Sequence, residues 1–301
     1  MSGIREQRRG ALLVFGSAAV WSFGGAIARF LSVTDSWVIV FWRSFFAATF
    51  LLAFMLWRDG LRGTRQLFRS MGIAGCAVAL CVTTASTSFV VALSYTTVAN
   101  VLLMQAGVPL FAALMAFVLF REQVAGTTWL AIVAVIVGVG IMVSGSIGGQ
   151  VSPVGDGLAL LIAVAFAAAT VITRRHANVQ MMPAVCLGTF TGAVIASTLA
   201  SSFHVNGTDA FLLFLFGALN LGLGMAFFAT GAPLLPSALA ALIGVAEPVL
   251  GPIWVWLVHD EIPGARTLIG GGVVFLALVA HLVWQFRQQN PGWASTPGMR
   301  Q

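Results

Sequence analysis

The sequence predicts an all-α integral membrane protein: ten transmembrane helices in two inverted five-helix repeats, with both termini cytoplasmic. Three observations carry this expectation. Of the 301 residues, 59% are hydrophobic and 8% charged, whereas a soluble domain carries about 25% charged residues. Ten apolar segments each approach the roughly 20 residues that a helix needs to cross a bilayer core of about 30 Å. The two halves of the chain also resemble each other at fixed offsets.

Taken in order, the predicted spans are 10–31, 36–57, 71–92, 97–119, 127–147, 154–174, 183–203, 209–229, 234–257 and 264–286. The connections are short, and turn formers mark several of them, such as Asp59 with Gly60 and Gly148 with Gly149 ahead of Pro153. The basic segment 1–9 runs straight into the first span, which is too long for the apolar core of a signal peptide and lacks an obvious cleavage site. It is therefore expected to remain as the first helix. The predicted organisation is a cytoplasmic N-terminus over 1–9, a first repeat over 10–147, a second over 154–286 and a cytoplasmic tail over 287–301. From Gln288 the tail is polar and rich in turn formers, and disorder is expected there.

Charge placement sets the direction of insertion. The net charge is +6 and every basic residue is arginine, scattered between apolar runs rather than gathered on one face. That distribution argues against a nucleic-acid partner. With the N-terminus inside, Arg5, Arg8, Arg9, Arg58, Arg62, Arg65, Arg69, Arg121, Arg174, Arg175, Arg287 and Arg300 are cytoplasmic and only Arg266 lies in an outer loop. Such a bias is the positive-inside pattern of short loops. Asp35, Asp156, Asp209, Asp260 and Glu261 fall in the outer loops. Cys76, Cys81 and Cys186 sit inside apolar stretches, as small hydrophobes rather than as a disulfide framework or a metal cluster.

An offset of 139 residues superposes Ala99 on Ala238, Leu103 on Leu242, Pro109 on Pro248, Glu122 on Glu261 and Thr128 on Thr267, making the fourth and ninth spans equivalents. At an offset of about 146, the stretch from Gly10 to Arg29 matches that from Asp156 to Arg175, so the first and sixth spans correspond as well. Each repeat then holds an odd number of helices, and the second copy must enter the membrane from the opposite side. Secondary transporters that work by alternating access are built this way.

The run SYTTVANVLLMQAGVPLFAALMAFVLFREQ resembles the fourth-helix signature of the drug/metabolite transporter superfamily, EamA type, with Pro109 and the terminal Glu122. SALAALIGVAEPVLGPIWVWLVHDE repeats it, and Arg43 in FWRSFFAAT looks like the arginine those proteins carry in their second helix. The start VWSFGGAIARF is similar to YddG-type exporters of aromatic and other amino acids. The resemblance implies a multi-pass protein of the bacterial cytoplasmic membrane. It would export small metabolites, aromatic and neutral amino acids among them, without ATP or any other cofactor, through a central cavity lined by both halves. Cationic drugs are the alternative cargo.

Polar groups at membrane depth are costly unless they face a partner or a wet cavity, so they are the candidates for transport. Glu247 is the only acid near the middle of a predicted span; it reads either as a proton- or cation-binding carboxylate or as a hydrogen-bonded group beside Pro248. Pro109 and Pro248 read either as gates or as static bends. Asn100 and Gln105, whose repeat counterparts are Leu239 and Gly244, and the only tyrosine, Tyr95, are candidates for lining the cavity. So are Trp21, able to stack on an aromatic or cationic substrate, its neighbour Ser22, Ser86 in the hydroxyl-rich third span, and Asn220 in the eighth. Arg43 reads more readily as a structural ion pair or headgroup contact than as a substrate ligand, and His281 as a satisfied packing residue.

An intramembrane enzyme would need a clustered nucleophile and base, a metal set or paired acids, and none of the corresponding motifs is present. A passive channel or a structural membrane protein is not separated from a transporter by hydropathy alone. The expected partners are a small-molecule substrate, the bilayer and, if Glu247 couples transport, protons.

Overall fold

The computed structural model describes residues 2–123, 125–147, 152–176 and 180–289, and all regular structure among them is helical. The Gly148–Gly149 turn and most of the expected tail lie outside the described residues. Among the described residues, nine helical stretches are long and apolar enough to cross a membrane, and a bent pair counted as one span makes ten.

The first span is α1 (Ser2–Ser22) followed by α2 (Gly24–Phe30), broken at Phe23. The second, α3 (Ser36–Ser70), starts on an Asp35 cap whose carboxylate accepts from the Trp37 amide at 2.8 Å. The hydroxyl and amide of Ser201 also donate to Asp35, and these bonds hold its carboxyl below the usual value of 3.8. Helix α3 runs past the expected end at Trp57, changing direction at Gly60, where φ is 68° and ψ 176°. Glycine alone adopts such a backbone without strain. Beyond it Thr64, Leu67 and Phe68 turn inward, and the two apolar side chains pack against the cluster of Leu51, Met55 and Val78. The expected loop is thus a short amphipathic helix.

Helices α4 (Gly72–Ala92), α7 (Gly126–Ile147), α8 (Pro153–Arg175), α9 (Met181–Leu199) and α14 (Ala265–Gln289) are continuous. The fourth span divides into α5 (Val98–Gln105) and α6 (Val108–Phe120), bent by 44°. The ninth divides at Val245 into α12 (Ser237–Gly244) and α13 (Ala246–His259). Arg121 and Asp260, just beyond α6 and α13, both close their helices in the left-handed conformation. Between α10 (Gly207–Phe214) and α11 (Gly224–Gly231) the eighth span is π-helical from Leu215 to Leu223. Such wide turns push side chains out of the regular helical rows and are frequent at functional sites.

Helix α3 packs on α9 and on the π-helical turn, α4 on α8 and α9, α7 on α14, and α1 on α11 and α13. Small residues make these approaches possible. A Cβ on Gly217 would overlap the Arg43 carbonyl oxygen, one on Gly188 would lie 2.6 Å from the Ala79 oxygen, and one on Gly138 would lie 2.7 Å from the Gly270 oxygen. Without a water-driven hydrophobic effect between helices, such close backbone contact is a main source of association in a bilayer. Gly270 therefore packs within the chain, while a side chain on Gly272 would meet nothing within 4 Å.

Two acids expected in outer loops are buried. Asp156, in the first turn of α8, accepts from Asn100 Nδ2 at 2.6 Å. Asp209, in the first turn of α10, accepts from the amide and hydroxyl of Ser32 and from Asn206 Nδ2. Both stand where helix N-termini favour an anion, which offsets the cost of burial.

Candidate functional site

The break in the first span organises one cluster. At Phe23 the helical ladder is interrupted: the Val20 carbonyl accepts from the Phe23 amide at 3.3 Å, and it and the Trp21 carbonyl face the neighbouring eighth span. Asn220, from the π-helical turn, donates its Nδ2 to both, at 2.6 and 3.2 Å, and lies against Gly24. Replacing Asn220 with alanine or aspartate removes that donor and should lower stability by about 1–3 kcal/mol, read as a lower melting temperature in detergent.

Trp21, two residues before the break, packs on Phe228 and covers Gly224, and its Nε1 has no partner among the described residues. Ser22 is fully buried; its hydroxyl donates to the Ala19 carbonyl and accepts from Trp254 Nε1 at 3.0 Å. Phe23 stacks on the same indole, 4.9 Å between centroids, and the His259 imidazole is 3.1 Å from the Ala26 carbonyl. Trp254 and His259 thereby fasten α13 along α1 and α2. Neither role was legible from sequence, because both partners lie more than 230 residues away.

A second cluster surrounds Arg43, which is 6% exposed. The expected ion pair is absent: among the described residues no carboxylate reaches it. Its Nη1 donates to the Ser86 hydroxyl at 2.9 Å and the Ser86 carbonyl at 3.3 Å, and its guanidinium carbon lies 4.3 Å from the Phe216 centroid and 5.5 Å from that of Phe89. Two aromatic faces take the place of an anion. The neighbouring hydroxyls serve packing: Thr83 donates across to the Gly188 carbonyl at 2.8 Å.

One end of the bundle is closed by Arg29. Its Nε meets Glu261 Oε2 at 2.8 Å, and its other nitrogens donate to the carbonyls of Leu93 at 2.8 Å and Thr96 at 3.0 Å. Glu261 Oε1 accepts from the Val98 amide at 2.8 Å, at the start of α5. One ion pair thus joins the ends of the first, third, fourth and ninth spans. Asn100 belongs to the same end, donating to Thr96 and Asp156, with its own Oδ1 unpaired among the described residues. Tyr95 lies in the α4–α5 connection and is 48% exposed. At the opposite end of the fourth span, half-buried Glu122 pairs with the exposed Arg175 at 3.2 Å and Arg174 at 3.8 Å.

Gln105 is the last residue of α5, its Nε2 buried and without a partner among the described residues. Pro109 and Pro248 follow the breaks in their spans instead of bending a continuous helix: each stands in the first turn of a new one, where no helical hydrogen bond is lost. Glu247 is in the first turn of α13 and has no hydrogen bond or ion pair with another described residue. Its carboxylate therefore stands at a helix N-terminus within the bundle, a favoured place for a negative charge. His281, expected to be satisfied, has an Nδ1 beside Trp284 that finds no partner among the described residues. A shallow groove of about 310 Å³ near Ser32 and Asp209 is a loop junction, its acids already bonded to their own neighbours.

The candidates thus divide into the first-span break (Trp21, Ser22, Asn220), the Arg43–Ser86 pair, the Arg29 end (Tyr95, Asn100) and the two helix breaks (Gln105, Pro109, Glu247, Pro248). Among solved structures, one described only as "Crystal structure of protein" superposes with a TM-score of 0.63 at 17% identity, covering 93% of this chain and 99% of that one. At that identity the likeness speaks for the fold. No curated protein sequence matches the chain. The model of the EamA-like transporter family matches residues 8–144 and again residues 153–283. With these two matches spanning most of its length, the chain belongs to the EamA-like transporter family, whose members are transporters of the drug/metabolite superfamily rather than enzymes.

Proposed function

We propose that the protein exports small amino acids, aromatic and neutral, across the bacterial cytoplasmic membrane by alternating access, with both termini cytoplasmic and the two repeats inverted. The observation that carries this reading is the matched pair of end closures. Arg29 and Arg175 are separated by the 146 residues that relate the first and sixth spans, and Glu122 and Glu261 by the 139 that relate the fourth and ninth. The pair Arg29–Glu261 at one end therefore has its counterpart in Arg175–Glu122 at the other. Packing supports the same symmetry: α4 on α8 is matched by α11 on α1, and α4 on α9 by the π-helical turn on α3.

The two closures are unequal. Arg29–Glu261 is the shorter and more buried, and α5 packs on α13 beside it. With the N-terminus cytoplasmic this is the outer end, and the conformation is one closed to the outside. Exchange of the closed end carries the substrate across, and Glu247, at the break between α12 and α13, is the group that would link the exchange to protons.

Flux of labelled phenylalanine and leucine in proteoliposomes, with and without an imposed pH gradient, tests the reading. Saturable, mutually competing flux is expected, and a gradient effect that disappears in Glu247→Gln. No flux of any amino acid rejects the cargo, and cationic drugs are then tested; flux that never saturates rejects alternating access in favour of a channel.

A further inference from the structure

A buried guanidinium without a carboxylate is an unusual thing to hold inside a membrane protein. Two aromatic faces and one serine compensate it only in part, because a charge taken out of water is offset fully only by a counter-charge or a complete set of hydrogen bonds. Arg43 lacks both. Its Nη1 is committed to Ser86, while its Nε has no partner and no ion pair forms among the described residues. The planar fork of donors suits a carboxylate.

The surroundings hold the group ready. Gly217 sits directly on the Arg43 backbone, fixing α3 against the π-helical turn that carries Phe216. Arg43 lies on α3 about 10 Å in from the Ser36 end. What covers this region is α2, the second piece of the first span: Phe216, Val40 and Val90 form one cluster, into which Ile27 and Ala28 of α2 pack together with Phe89. Helix α2 begins at the Phe23 break and ends one residue beyond Arg29, the arginine of the end closure. Release of Arg29 from Glu261 would free the helix whose side chains lie over the Arg43 cage.

We infer that Arg43, seated between Phe216 and Phe89 and anchored by Ser86, is the anion-binding group of the transport path and takes the carboxylate of the substrate when α2 lifts. The inference rests on the amino-acid reading above and narrows it, since it requires a carboxylate on every good substrate and excludes simple cations.

The test compares binding and flux of phenylalanine and leucine with those of phenylalaninamide and leucinamide, which keep the amine and side chain and lack the carboxylate. Purified protein in detergent is titrated with each compound and its melting temperature followed, in parallel with proteoliposome flux. In the wild type the two amino acids should raise the melting temperature and compete for flux, and the two amides should do neither. Arg43→Met should weaken amino-acid binding by more than about thirtyfold. Arg43→Lys, which keeps the charge without the planar fork and guards against a folding defect in the first variant, should weaken it by about tenfold. Equal binding of phenylalanine by the wild type and by both folded variants overturns the role of Arg43 while leaving amino-acid transport intact. Wild-type binding of the amides in preference to the amino acids, or of none of the four compounds, overturns this inference and the amino-acid cargo together.

Discussion

Replacing Gly217 with valine should leave little folded transporter. The added Cβ would occupy the space of the Arg43 carbonyl oxygen and press on the Phe46 Cβ, and neither can retreat, since both are fixed by the helical backbone of α3. Overpacking of a fixed site costs about 1–3 kcal/mol and more when backbone must move, so a loss of about 3 kcal/mol or greater is expected. The measurement is the yield of monodisperse protein and its melting temperature in detergent. Gly140→Ala is the control: nothing lies within 4 Å of its Cβ, and removing a helical glycine there should be neutral or stabilising. An unchanged melting temperature for Gly217→Val would mean that α3 and the eighth span do not approach as closely as described.

Breaking the Arg29 closure should change which side of the protein is accessible. Arg29→Ala removes the ion pair to Glu261 and both carbonyl contacts, at Leu93 and Thr96, in one step. Charged hydrogen bonds of this kind contribute about 1.5–3 kcal/mol, so the balance between conformations should shift by about tenfold or more toward one open at that end. Glu261→Gln should do less, because a glutamine oxygen can still accept from the Val98 amide. Glu122→Gln should act in the opposite sense and weakly, its partners being exposed. A thiol reporter placed beside Ile27 in a cysteine-free background reads the change as its rate of labelling from each side. Unaltered labelling in Arg29→Ala would deny the pair any gating role.

The spans were legible because hydropathy is local: 36–57, 127–147 and 154–174 are met by α3, α7 and α8 within a few residues at their starts. The extension of α3 was legible in principle, since Thr64, Leu67 and Phe68 have amphipathic spacing, but the Asp59–Gly60 pair reads as a loop unless the helix is allowed to resume. Pro109 and Pro248 located the broken spans to within one turn while misassigning the cause, because a proline that starts a helix and one that bends it look alike in sequence. The offsets of 139 and 146 residues already contained Glu122, Glu261, Arg29 and Arg175. What they did not contain was who pairs with whom, since Arg29 and Glu261 are 232 residues apart. Burial of Asp156 and Asp209 was hidden for the same reason, their partners Asn100 of α5 and Ser32 beyond α2 lying far away along the chain.

The glycine contact between α7 and α14 bears on how motion can be observed. Gly138 and Gly270 face one another with each carbonyl against the other's α-carbon, so the two spans touch backbone to backbone. A joint that tight, flanked by the Val274 and Met142 side chains, can slide little without overlap. Under the proposed alternating access, the fifth and tenth spans are expected to act as a common strut against which the remaining spans turn. Spectroscopic labels on α7 and α14 would keep a constant separation through the cycle and serve as the fixed ruler for displacements measured elsewhere.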